Sequence, residues 1–185
     1  IPLTDGTSGG TWSTGDGTIA TVDGSGNVTG VANGTVTISY SVTNGNGCTT
    51  IVNKIINVHA LPVVSAITVN APATSFDVCV SSNITLSDAT SGGTWSSSAT
   101  GIATINASTG LVTGIADGTA TISYTVTDAN GCSTTVTQVV NVHALPVPTL
   151  NGPNPICPGA VDIYTTETGQ FNYNWLVTGG TFTGA

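Results

Sequence analysis

Residues Val28–Val63 read VTGVANGTVTISYSVTNGNGCTTIVNKIINVHALPV, and Val112–Val147 read VTGIADGTATISYTVTDANGCSTTVTQVVNVHALPV. The second stretch follows the first by 84 positions, and 24 of the 36 aligned residues are identical. A fixed internal period defines the unit that folds. Inside it Val36, Ile38, Tyr40 and Val42 alternate with Thr and Ser. Successive strand side chains point to opposite faces, so this alternation predicts a strand buried on one side. Asn44-Gly-Asn-Gly and Asp128-Ala-Asn-Gly then predict hairpin turns, because Asn and Gly adopt positive φ at little cost. The returning strand runs to His59-Ala-Leu-Pro and His143-Ala-Leu-Pro. There proline, which has no N–H to donate, ends the pairing.

The duplication extends outward from this stretch. Ser8-Gly-Gly-Thr-Trp-Ser matches Ser91-Gly-Gly-Thr-Trp-Ser, and Ile19-Ala-Thr-Val matches Ile102-Ala-Thr-Ile. Ile1-Pro-Leu-Thr-Asp aligns with Ile84-Thr-Leu-Ser-Asp at an offset of 83, so repeat 2 has one extra residue near Ser108 or Thr109. Short strands with turn signals about every ten residues predict an all-β chain built of antiparallel sandwiches. The expected units are repeat 1 over 1–63 without its first strands, a complete repeat 2 over 64–147, and a partial third β-sandwich unit over 148–185. Ile1 falls inside a repeat, so a secretion leader is expected, if anywhere, upstream. The ends are expected to be either cut from a longer chain or completed by neighbouring subunits.

Composition narrows the function classes. Hydrophobic residues make up 39%, enough for a buried core, but charged residues only 5%, against about 25% in ordinary globular domains. Thr, Ser, Asn and Gly must therefore cover the surface, a composition that favours strands over helices. Net charge is −8 and Lys54 is the one basic residue besides the histidines. Phosphate backbones and anionic lipid surfaces are bound through Lys and Arg, so nucleic acid and an electrostatic membrane footing are both excluded as partners. No apolar run is long enough to span a bilayer as a helix, so no membrane insertion is expected from this stretch.

Four cysteines recur at two repeat positions. Cys48 and Cys132 follow the Asn-Gly turn, whereas Cys79 and Cys157 precede the first core strand of their units. The economical pairing is Cys79 with Cys132, closing a loop of about 50 residues and stabilising by roughly 4 kcal/mol on the chain-entropy model. Cys48 and Cys157 then need partners outside this stretch or in a neighbouring subunit, unless they are free thiols. No pair has the close spacing of a zinc or redox motif. A disulfide would place the protein outside the cytoplasm.

Each remaining candidate has a bland alternative. His59 and His143 could be bases or ligands, but each is locked to the same Leu-Pro, so they read as junction residues together with Leu61, Pro62, Leu145 and Pro146. Trp12, Trp95 and Trp175 could stack on sugars; one Trp per unit reads better as packing, with Trp12, Tyr40, Trp95 and Tyr124 as core. Asp128-Ala-Asn-Gly lacks the further acids of a calcium loop, and repeat 1 has Asn44 at that place. Asp16, Asp23, Asp77, Asp88 and Asp117 leave calcium at a junction as the one cofactor to consider. Thr35, Thr37, Thr119 and Thr121 could form a ladder for ice or a flat crystal, or simply face solvent. The Asn27, Asn33, Asn83 and Asn106 sequons reflect Thr-rich composition. Two histidines, both at unit ends, make no catalytic triad. No catalytic or metal residue is therefore expected, and the chain is not read as an enzyme.

The order Trp-Ser, Ile-Ala-Thr-Val, Gly-Asn-Val-Thr-Gly-Val and Gly-Thr-Val-Thr-Ile-Ser-Tyr from Trp12 to Tyr40, echoed from Trp95 to Tyr124, resembles the bacterial immunoglobulin-like domains of the second group. These are modules of intimin- and invasin-type adhesins and of long surface proteins. The Asn-Gly-Cys hairpin and closing Val-His-Ala-Leu-Pro resemble versions from giant Bacteroidetes surface proteins. Ile156-Cys-Pro-Gly with Asn172-Tyr-Asn-Trp-Leu-Val resembles a polycystic-kidney-disease-type domain. The resemblance implies tandem immunoglobulin-like antiparallel β-sandwiches in an elongated array, serving as an extracellular stalk, filament or adhesin on the bacterial cell surface. Its partners would be neighbouring repeats, identical subunits or surface glycans. Two other functions compete: a carbohydrate-binding accessory region of a secreted enzyme, and a filament subunit completed by strand addition between copies.

Overall fold

The computed structural model describes residues 1–152, 154, 157, 159–166, 168 and 176. The third-unit motif residues Ile156, Trp175 and the Asn172–Asn174 stretch lie outside them. Among the described residues the regular structure is entirely strand.

Repeat 1 contributes β1 (Thr11–Thr14), β2 (Ala20–Val22), β3 (Val28–Gly30), β4 (Gly34–Thr43) and β5 (Thr49–Val58). Repeat 2 contributes β6 (Thr68–Val69), β7 (Asp77–Cys79), β8 (Asn83–Ser87), β9 (Thr94–Ser97), β10 (Ala103–Ile105), β11 (Leu111–Gly114), β12 (Gly118–Thr127) and β13 (Ser133–His143). In repeat 2 one sheet has the order β7-β13-β12-β9 and the other β10-β11-β8-β6. Their inner faces enclose one apolar cluster, in which Leu86, Val112, Ile122, Val140 and Val142 are all but inaccessible. Repeat 1 has β1-β4-β5 facing β2-β3 over a smaller cluster of Ala20, Val28, Val36, Ile38 and Ile56. The alternation in β4 does what its sequence predicts: Val36, Ile38 and Tyr40 are buried, and Thr35 and Thr37 are exposed.

Each repeat centres on a long hairpin. β4 pairs with β5 from Gly34↔Val58 to Thr43↔Thr49, and β12 with β13 from Gly118↔Val142 to Thr127↔Ser133. The turn residue supplies its own acceptors. Asn44 Oδ1 takes the Asn46 and Cys48 N–H groups at 3.0 Å each, and Asp128 Oδ1 takes those of Asn130 and Cys132 at 2.9 Å each. Gly47 and Gly131 follow with φ of 82° and 83°, a conformation that suits glycine.

The alignment at Ile1 holds in three dimensions. Val28 N donates to Ile1 O at 2.7 Å and Leu3 N to Gly26 O at 2.8 Å, as Leu86 N donates to Gly110 O at 2.9 Å. β6 and β7 have no counterparts within 1–63. Consequently β5 ends its sheet, whereas β13 carries β7 on its outer edge. Val52 on β5 is 51% exposed, while its counterpart Val136 packs against the core of repeat 2.

One edge strand departs from the antiparallel pattern of the rest, since β7 pairs parallel with β13 from Asn141↔Asp77 to His143↔Cys79, and one expectation needs correction. That register also removes the Cys79–Cys132 disulfide. Cys79 lies opposite the last residue of β13, and Cys132 immediately precedes its first. Eleven residues of strand at roughly 3.3 Å each put the two about 35 Å apart, whereas disulfide-linked Cα atoms lie within about 7 Å. No two of Cys48, Cys79, Cys132 and Cys157 are bonded to each other.

Candidate functional site

The aromatic residues that might have bound a ligand are committed to the fold. Trp95 is buried against Tyr124, with ring centroids 4.5 Å apart, and Trp12 meets Tyr40 at 4.6 Å. The Tyr124 hydroxyl accepts from Gly93 N at 2.9 Å and donates to Thr90 O at 2.7 Å. Tyr40 does the same with Gly10 N at 2.9 Å and Thr7 O at 2.7 Å. A side chain at Gly10 or Gly93 would run into that tyrosine ring. This lock escaped the sequence reading, although Gly-Gly-Thr-Trp recurs in both repeats at nearly the same distance from its Tyr. Sugar stacking needs an exposed ring face, which Trp95 does not offer; Trp12 is half-buried. An open groove of 360 Å³ runs past Trp12, Tyr40, Val52, Asn53 and Lys54. In repeat 2 the positions matching its floor, Ile122, Tyr124 and Val136, belong to a cluster that also takes in Ile67 and Val69, which have no counterparts within 1–63.

The carboxylates are spent on turns and on one strand-to-strand contact. Asp16 is held below its ordinary range by Thr18, and Asp23 by Asn27. Asp88 Oδ1 accepts from Thr90 N at 2.7 Å, and Asp117 Oδ1 from Ala144 N at 3.1 Å. Asp77 Oδ1 lies 3.0 Å from His143 Nε2 and accepts from Asn141 Nδ2 at 3.1 Å; these two partners lower its pKa, His143 the more. Of the five acids considered for calcium, Asp16, Asp23, Asp88 and Asp117 lie in turns or loops and Asp77 lies on β7. Among the described residues no three His, Cys, Asp or Glu side chains converge as metal ligands, whereas calcium requires six to eight oxygens. The outward hydroxyls pair with one another across the strands: Thr43 with Thr49 at 2.7 Å, Thr125 with Thr135 at 2.8 Å, Thr127 with Ser133 at 2.7 Å. Thr35 donates to Asn57 Oδ1 at 3.0 Å.

What the molecule does organise is its ends. The chain enters repeat 2 beside the hairpin: Ser65 N donates to Thr90 Oγ1 at 3.0 Å, and Thr90 O is the acceptor of Tyr124, three residues from the end of β12. It leaves from the opposite end, at His143. Asp128 in the hairpin turn is lowered chiefly by the Cys132 N–H, with a further contribution from the charge of His59, which follows the last strand of repeat 1. Of the junction residues, His59, Leu61, His143, Leu145 and Pro146 are exposed and Pro62 half-buried.

Two facing sheets entered at the hairpin end and left at the other define a tandem immunoglobulin-like β-sandwich protein. The family model for the bacterial Ig-like domain (group 2) matches residues 2–52 and 63–140, and the chain belongs to that family. No curated protein matches the chain. Among solved structures it is similar to domains 1–6 of the surface layer protein SbsC, at 19% identity over 85% of this chain and 28% of that one, with a TM-score of 0.30. It is also similar to a C-terminal 282-residue fragment of intimin in complex with the intimin-binding domain of its translocated receptor, at 19% identity, 77% and 53% coverage and a TM-score of 0.32. Protocadherin gamma B2 cadherin domains 3–6 follow at 13% identity, 77% and 42% coverage and 0.31. The chain spans less than two thirds of each. Likenesses of this strength carry no argument about function.

Proposed function

We propose that the chain is a structural repeat region of an extracellular or cell-surface bacterial protein, a stalk, filament or adhesin spacer without catalytic activity. Its units would be 1–63, 64–147 and a partial third sandwich over 148–185, with neighbouring repeats as the principal partners. One observation carries this reading. The same sandwich is built twice down to the tyrosine lock, while the tryptophans and tyrosines of both repeats and most of their aspartates are engaged in packing, turns or strand pairing. Membership of the bacterial Ig-like family supports it. So does a chain whose Lys and Arg residues number one, since trypsin-like proteases outside the cell would find a single site. A Bacteroidetes source and a polycystic-kidney-disease-type third unit remain part of this proposal, carried by the motifs at the hairpin, the junction and Ile156–Gly159.

The test is labelling of intact cells that express the natural protein, using an antibody against repeat 2. Surface staining removed by external proteinase K is expected. Staining only after the cells are lysed would overturn the reading.

A further inference from the structure

Cysteines occur at the two opposite ends of the repeats. Cys48 and Cys132 sit at the hairpin, and Cys79 sits beside His143 at the far end. The length of β13 keeps the two ends of one repeat apart. Yet Cys79 is exposed and Cys132 half-buried, so both are within reach of a neighbour.

The path of the chain decides which neighbour each meets. Repeat 1 ends at Val58, and Val64 already packs on the core of repeat 2. The connecting residues can span at most about 20 Å. Ser65 is fixed through Thr90 to Tyr124, near the hairpin. The far end of one repeat is thereby delivered to the hairpin end of the next. Asp128, four residues before Cys132, has its pKa lowered chiefly by the Cys132 N–H and least by His59, from across this junction. His59 matches His143 in the repeat, and His143 is the register partner of Cys79. A cysteine of the Cys79 type is therefore carried to the end of its repeat that faces the hairpin cysteine of the next.

We propose that consecutive repeats are stapled head to tail by a disulfide between the far-end cysteine of one repeat, at the position of Cys79, and the hairpin cysteine of the next, at the position of Cys132. Two thiols form the S–S bond by giving two electrons and two protons to a small-molecule disulfide such as oxidised glutathione, which leaves as two thiols. By this rule no two of the four cysteines in this chain are mates, since Cys157, like Cys79, precedes the first core strand of its unit. The bond would restrain the junction and leave each core as it is. It rests on the tandem arrangement proposed above.

The test duplicates Val64–Val147 in tandem within the full chain and oxidises it with glutathione disulfide. One version retains only Cys79 of the first copy and Cys132 of the second, with the other cysteines changed to Ser. The other version retains only Cys132 of the first copy and Cys79 of the second. Mass spectrometry and thiol titration should find the first version closed and the second with both thiols free. An open first version, or equal closure of both, overturns the staple. Calorimetry on the same samples separates the two proposals, because folded copies without the bond leave the array reading standing. His59→Cys in the otherwise unchanged chain gives a second arm: its new thiol should bridge to Cys132, and a bridge to Cys48 or no bridge contradicts the proposal.

Discussion

The Tyr124 hydroxyl reaches the Thr90 carbonyl at 2.7 Å, and the Tyr40 hydroxyl reaches the Thr7 carbonyl at the same distance. In each repeat one phenol closes the loop before the Trp strand by accepting from a glycine N–H and donating to a carbonyl. Removing that oxygen leaves two backbone groups short of a partner. A lost hydrogen bond with an unsatisfied, partly buried donor costs about 1–3 kcal/mol. Tyr124→Phe should therefore lower the melting temperature of repeat 2 by about 4–24 °C, at 4–8 °C per kcal/mol. A differential scanning calorimetry shift below about 2 °C would mean that water replaces the phenol without loss.

Glycine substitutions should divide sharply. Gly110 has a φ of 70°, and a Cβ there would strike the Leu86 carbonyl oxygen. Gly101 has open space and no positive φ. Gly110→Ala is expected to cost more than about 1 kcal/mol, and Gly101→Ala to stay within about 0.5 kcal/mol of neutral. Urea titration compares them, and equal midpoints would contradict the packing described at Gly110.

The two cores should respond separately. Ile122 lies in the cluster of repeat 2 and Ile38 in that of repeat 1, both essentially inaccessible. Ile→Ala at such sites costs about 2–5 kcal/mol. Each variant should lower one calorimetric transition and leave the other in place. If Ile122→Ala moves both transitions equally, the repeats do not fold as independent units.

Acid stability follows from two hydrogen-bonded carboxylates, Asp77 on β7 and Asp128 in the hairpin turn. Asp77 lies below its ordinary pKa of 3.8, held there first by His143 and then by Asn141, and Asp128 lies below it chiefly through the Cys132 N–H. A group whose folded pKa is depressed adds stability in full above the unfolded value and loses it as pH falls through the folded one. Stability should therefore be level above about pH 5 and decline below pH 3.8. Asp77→Asn should make that decline shallower, as read from urea midpoints at pH 3 and pH 6. An unchanged acid limb would show that the exposed His143–Asp77 pair adds nothing.

The strand alternation, Asn-Gly turns and internal period made the sandwich readable, because each is a local pattern with a local cause. The stray pieces were non-local. Nothing near Cys79 in sequence shows that Asp77–Cys79 runs parallel to Asn141–His143, and without that register its distance from Cys132 could not be judged. The Asp77–His143 contact was hidden for the same reason. Thr90 and Gly93 were hidden differently, since they act through their backbone, which composition does not reveal.

A series of separate sandwiches unfolds one at a time under tension, and single-molecule stretching of the full chain measures this directly. A repeat of 84 residues is about 28–30 nm long when extended at 3.3–3.6 Å per residue, of which the folded sandwich already spans about 3.5 nm, so unfolding should add about 24–27 nm. We expect discrete force peaks, one with that increment for repeat 2 and a separate, shorter one for repeat 1. Extension without peaks, or a single rupture releasing both repeats together, would contradict it.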